Sequence, residues 1–284
     1  MRRLRLNLIL VAVALLLISE AGHAADITCL PDRSTTCATI LIKGEIAVGD
    51  GSRFASTLRQ HHPSVSAVEL WSSGGSIAEA LKIGRLIRKA KLGTRAPLGV
   101  AHRPGRGFLR IDPTLLLCDD STCHCASACF LIWAGGLTRG GNVLGVHLPT
   151  INSPEFADMP VDQAMTAYRR LLIDVIAYLT EMEVSPRYIA MMTDTASTEI
   201  QWLNSTGELI TSDVPSVEAW LRASCGALSD AEGGAAIGAM EKWSKGEFVS
   251  LRERELLTAL LANINCRGNM IDGARAAVKA DELK

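Results

Sequence analysis

Aromatic residues are scarce in this chain of 284 residues, where Phe, Trp and Tyr make up 5%. Base-stacking surfaces are built from such rings, so single-stranded nucleic acid is not the expected partner. An excess of one charge is missing too: 29 Lys+Arg stand against 30 Asp+Glu, for a formal net charge of −1. No basic footprint for a phosphate backbone follows from that balance. Beyond residue 24 no apolar run approaches the length of a membrane span. The 24 Gly and 10 Pro are spread along the chain, which excludes a collagen-like or low-complexity protein. What remains is globular composition, 48% hydrophobic, long enough for one large domain or two modest ones.

The N-terminus reads differently from the rest. Arg2, Arg3 and Arg5 precede an unbroken apolar run from Leu6 to Ile18, followed by Ala21-Gly22-His23-Ala24-Ala25. A basic start, a short apolar run and small residues before a cut describe a secretory signal peptide, residues 1–24, cleaved after Ala24. The mature chain is then expected in the periplasm, with no membrane attachment after signal removal.

Export changes the reading of the eight cysteines, which would meet an oxidising compartment. Local proximity favours Cys29–Cys37, and Cys225–Cys266 would close the C-terminal region. Cys118, Cys123, His124, Cys125 and Cys129 offer zinc-type ligands, but their spacing matches no standard Cys-x2-Cys pair. Disulfides are the expected use, and no metal or other cofactor is assigned.

Along the mature chain, Ala38–Ile46 and Ala67–Trp71 are rich in β-branched or apolar residues and predict strands. Ser52–His61 predicts a short helix. The glycine turn Ser72-Ser73-Gly74-Gly75-Ser76 leads into an amphipathic helix, Ile77–Ala90. Strand, turn and helix in this order build parallel α/β sheets. Residues 97–123 break the pattern as a long loop or an insertion with its own small structure. Residues 126–137 are small and apolar all round, as in a buried helix. A short strand is predicted over Asn142–His147 and helices over Met159–Met182 and Pro186–Met192. Helical segments Val217–Ala223 and Leu251–Asn263 make residues 217–284 a small helical C-terminal module, set after a domain of residues 25–216.

Four short pieces carry chemistry when taken together: Ser72–Ser76, Cys125–Cys129, Gly145–Pro149 and Thr193–Leu203. Ser127 stands among alanines at a helix start, His147 ends an apolar strand, and Gly74-Gly75 form a tight turn. Each alone has a plain packing role. As a set they fit serine nucleophile chemistry, in which a hydroxyl needs an adjacent base and two backbone N–H donors for the developing oxyanion. No Gly-x-Ser-x-Gly elbow surrounds a serine, and the order Ser, His, acid differs from the chymotrypsin and α/β-hydrolase orders.

Ser72-Ser73-Gly74-Gly75, Ala126-Ser127-Ala128 and Val146-His147-Leu148-Pro149 resemble, in order and spacing, the Ser-Pro-Gly-Gly, Ala-Ser-Met and Ile-His-Gln-Pro segments of the Clp protease proteolytic subunit. The chain thus resembles the ClpP/crotonase superfamily, and within it exported ClpP-like proteins, from about Thr39 to Asp213. The resemblance implies an α/β fold with a ClpP/crotonase-like parallel-sheet spiral core. It implies Ser127 as nucleophile, His147 as general base, and the N–H groups of Gly75 and Ala128 as the oxyanion hole. Glu199 is the implied acid, with Asp194 the alternative. A peptide or protein substrate and a homo-oligomer are implied as well. Axial docking segments are not recognisable, so no ATPase partner is carried over. A disulfide between the cysteines flanking Ser127 would distort a helix start, so Cys125 and Cys129 are expected as packed free thiols, with Cys118–Cys123 as a local bridge. Competing readings are a catalytically inactive scaffold that binds peptides or partners, a crotonase-type acyl enzyme, and a Ser–Lys dyad using Lys82.

Overall fold

The computed structural model describes residues 24–31, 36–102, 106–110, 123–150, 156–203 and 214–283. The proposed signal peptide, apart from Ala24, lies outside them. The fold is mixed α/β. Its main sheet runs β1 (Asp26–Pro31), β2 (Cys37–Lys43), β3 (Ala67–Trp71), β4 (Gly93–Arg95) and β8 (Arg139–Gly140), in the spatial order β1-β2-β3-β4-β8. β1 is antiparallel to β2, and the remaining pairs are parallel. Ile40 and Ile42 on one face and Leu41 on the other are all buried, as expected of a central parallel strand covered on both sides. The predicted strand 38–46 ends earlier, at Lys43, and Ile46 makes an isolated bridge to Gly75.

Helix α1 (Asp50–His61) follows β2, burying Phe54 and Leu58. Helix α2 (Ile77–Lys89) follows β3; Ser76 caps it by accepting a hydrogen bond from the N–H of Glu79. The hairpin β5 (Gly99–His102) and β6 (Arg106–Arg110) gives the 97–123 region small structure of its own. A second sheet, in the order β10-β9-β7, joins β7 (Cys125–Ala126), β9 (Leu144–Val146) and β10 (Gln201–Trp202). Ser72, just past β3, links the two sheets: its N–H donates to His124 O (2.9 Å) and its carbonyl accepts from the N–H of Ala126 (3.0 Å).

Between the sheets and α2 lies helix α3 (Ala128–Ala134), whose seven residues are all buried. It crosses α2 at glycines. A Cβ on Gly135 would fall 2.3 Å from Gly84 O, so only glycine permits the approach. The last carbonyls of a short helix need donors. Arg88 of α2 supplies them, donating to the carbonyls of Ala134, Gly135 and Gly136 at 3.0–3.3 Å. Helix α4 (Val161–Glu181) reaches the same crossing through Tyr178, whose hydroxyl donates to Leu131 O at 2.7 Å and would lie 1.8 Å from a Cβ on Gly84. Helix α5 (Pro186–Asp194) then leads to β10.

The C-terminal helices are α6 (Pro215–Cys225), α7 (Asp230–Ser244) and α8 (Leu251–Ala276). α7 was not expected: Gly233, Gly234 and Gly238 weaken it and it carries no apolar stripe, yet Ser229 and Glu232 form a full capping box. The tail returns to the α/β unit. Arg59 donates to Leu283 O (2.7 Å), the imidazole of His62 donates to Val278 O (2.6 Å), and Leu283 is fully buried. Among the described residues no helix is long and apolar enough to cross a membrane.

Candidate functional site

Ser127 occupies the corner between β7 and α3, with φ 57° and ψ −126°. A positive φ at a non-glycine residue costs about 1–3 kcal/mol, and the surroundings must hold it there. They do so through main-chain bonds: Ser127 N–H donates to Gly145 O and Ser127 O accepts from Phe130 N–H, each at 3.0 Å. This reversal brings the flanking cysteines together. Cys125 and Cys129 form a disulfide with Cα atoms 5.3 Å apart, which overturns the expectation of free thiols. Cys125 belongs to the strand rather than the helix, so the bridge spans the corner between the two elements.

Two further pairs sit at disulfide distance: Cys29–Cys37, which local proximity favoured, and Cys225–Cys266, expected to close the C-terminal region. Cys123 is also disulfide-bonded, while Cys118 lies outside the described residues. Such cysteine usage points to an oxidising, extracytoplasmic compartment.

The glycine turn stands against Ser127. Gly74 and Gly75 have φ values of 115° and 126°, and a Cβ on Gly74 would fall 2.6 Å from the Ser127 Cβ. Ser72 shapes the turn from within, its Oγ accepting from the Gly74 N–H at 3.1 Å. Ile46 clamps it from outside, donating to Gly74 O and accepting from the Ser76 N–H, each at 2.7 Å. In the sequence Ser72 was read only as part of the turn motif and Ile46 did not stand out; the serine two residues before a glycine was the available signal for the bond within the turn. The N–H groups of Gly75 and Ala128 have no hydrogen-bond partner among the described residues. Two donors are therefore available beside the Ser127 corner.

His147 follows β9 and lines the same narrow pocket as Ser127, with Ile77, Leu131, Val175 and Met192 on its apolar walls. Its volume is about 20 Å³, enough for about one water. Ser127 and His147 are both half-buried, and no hydrogen bond joins them. His147 Nδ1 lies 2.6 Å from Leu148 O. A carbonyl only accepts, so Nδ1 carries a proton, and in the neutral ring the lone pair is then on Nε2. That is the tautomer a general base needs.

The carboxylates are placed otherwise. Glu199 and Asp194 are exposed, and neither is hydrogen-bonded to His147. Their segment wraps the His147 backbone: Leu148 N–H donates to Thr195 O at 3.0 Å, and Gln201 pairs with Val146. Continuing that antiparallel register puts Ile200 opposite His147. Lys82 is held by Glu79, its Nζ 2.7 Å from Oε1. His124, against the edge of Trp202, is pushed below its ordinary pKa by burial.

No protein-family model matches this chain, and no curated protein matches it.

Proposed function

We propose that the chain is an exported, periplasmic serine hydrolase, a peptidase on a ClpP/crotonase-like core, released from its signal peptide by cleavage after Ala24. One observation carries the reading: Ser127 is held at positive φ on a strand-to-helix corner, against the Gly74–Gly75 turn and in one pocket with His147. In the proposed reaction Ser127 Oγ attacks the scissile carbonyl while His147 Nε2 takes its proton. The oxyanion accepts from the N–H groups of Gly75 and Ala128. His147 then protonates the leaving amine, and water hydrolyses the acyl-serine by the same steps in reverse. The Leu148 carbonyl holds the imidazole, a task that Glu199, or Asp194, performs in the triad the resemblance implies. The substrate is a peptide or protein, no cofactor takes part, and the working form is a homo-oligomer.

A second reading, a non-catalytic scaffold binding peptides or partner proteins, is favoured by the missing carboxylate and the unmade Ser127–His147 bond. Fluorophosphonate labelling of the oxidised mature protein separates the two. Covalent labelling that disappears in Ser127→Ala and His147→Ala supports the hydrolase; a folded wild type that stays unlabelled supports the scaffold.

A further inference from the structure

Ala25 is fully buried at the head of β1, whereas Ala24 is exposed, so the boundary between outside and inside falls on the bond between them. The nitrogen of Ala25 lies 3.2 Å from Oδ2 of Asp50, a carboxylate with no exposure at all. The same Oδ2 accepts from the N–H of Ala47 at 2.8 Å. Oδ1 accepts from Arg53, whose guanidinium also donates to Ala25 O at 2.8 Å.

The local charge is lopsided in its burial. Two buried carboxylates, Asp50 and Glu79, stand at the start of α1, Glu79 accepting from Gly51 N–H at 2.8 Å. Their cations are Arg53 and Lys82, whose side chains are 47% and 63% exposed. A buried anion whose counter-charge sits largely in water keeps a desolvation penalty that a buried cation would offset. The nitrogen already aimed at Asp50 becomes such a cation when the Ala24–Ala25 bond is cut.

We propose that cleavage after Ala24 creates an α-ammonium group on Ala25 that folds into a buried ion pair with Asp50, and that this pair steadies the segment holding the Gly74–Gly75 turn. The hydrolysis adds water across the peptide bond. The C–N bond breaks, hydroxyl goes to the Ala24 carbonyl carbon, and the Ala25 nitrogen receives hydrogen from water and the acid proton of the new carboxyl group. An α-amine has an ordinary pKa of about 8, so at neutral pH it is charged. Because Ala25 is buried in the fold, the cut precedes the docking of β1.

The route to the turn is short. Asp50 fixes Ala47, and Ala47 follows Ile46. Ile46 in turn holds Gly74 O and Ser76 N–H, both at 2.7 Å. Processing would thereby finish the oxyanion turn as well as the N-terminus. That second consequence rests on the hydrolase reading; the ion pair does not.

Three oxidised chains ending at Lys284 test this: one beginning with free Ala25, one with Nα-acetyl-Ala25, and one with Ala24. The free amine is expected to melt on the order of 4 °C higher than either of the others, a shift typical of a modest stabilisation in a chain of this size. In Asp50→Asn the gap between free and acetylated chains should close. Labelling of Ser127 should run about fivefold faster in the free-amine chain. Coincident melting points for the three chains would overturn the ion pair, as would N-terminal sequencing of the exported protein that finds a start other than Ala25. Separated melting points with equal labelling rates overturn the link to the turn. If no chain labels, the hydrolase reading fails, and the order of melting points still decides the ion pair.

Discussion

Gly74 and Ser127 share a space that has no room for a methyl group: a Cβ on residue 74 would lie 2.6 Å from the serine Cβ and 3.0 Å from its Oγ. The turn and the Ser127 corner are thus fitted to each other, although they are far apart in the chain. Gly74→Ala meets both this contact and a φ of 115°, so it should cost about 2 kcal/mol or more. Urea unfolding measures that cost. Labelling of Ser127 should fall with it, even in the fraction that stays folded, because relief requires the serine or the turn to move. A variant of wild-type stability and labelling rate would show that the two segments are not in contact.

The tautomer of His147 yields a sharper test of the chemistry. Leu148 O at 2.6 Å from Nδ1 requires the Nδ1–H form, and long-range ¹H–¹⁵N correlation spectra should show it. With the imidazole held by a main-chain carbonyl, Glu199→Gln and Asp194→Asn are each expected to keep the labelling rate within about threefold. Loss of a true triad carboxylate costs orders of magnitude. A fall of a hundredfold or more in either variant would return that residue to the triad.

Much of the framework was legible in local pattern. Ala67–Trp71 is found as predicted, and α2 differs by one residue at its end, because apolar periodicity and a serine cap act within a single element. Ser127, His147 and the glycine turn were legible as a set, and Ser127 and His147 do line one pocket. The Cys125–Cys129 bridge was not legible, since it depends on a backbone reversal at Ser127 that no residue propensity announces. Helix α7 was hidden by its glycines, and only its capping box marked it. The carboxylate could not be placed from spacing alone, because one step of strand register decides whether Glu199 or Ile200 stands opposite His147.

Acid should loosen the C-terminal helices at Glu218. The Arg267 guanidinium holds this carboxyl below its ordinary value of 4.5, against the upward pull of burial and with help from Arg222. Because the folded value is depressed, the stabilisation is complete above the ordinary carboxylate range and is lost as pH falls through the folded value. Glu218 ties α6 to α8, with Arg267 Nη1 at 3.2 Å and Arg222 Nε at 2.7 Å. Glu218→Gln should therefore melt a few degrees below wild type at pH 6, and the gap should shrink toward pH 3. A gap that is constant with pH would remove the ion pairs as its cause.

Reduction should reach the candidate active site through Cys125–Cys129, which closes a loop of sequence separation 4 around Ser127. A loop so short restricts the unfolded chain little, and the chain-entropy estimate for it is about 2 kcal/mol. Its larger effect is local. With the bridge intact the reversal at Ser127 is enforced covalently; without it, a φ of 57° must be held by the hydrogen bonds to Gly145 and Phe130 alone. Cys125→Ala/Cys129→Ala should therefore fold and unfold at lower urea, while losing labelling by a larger factor than its stability change alone would give. The other disulfides, left intact in this double variant, cannot account for such a loss. Dithiothreitol should reproduce the effect in wild type and add little to the double variant. Full labelling in the double variant would show that the corner is set by the fold without the bridge, and that the disulfide serves stability only.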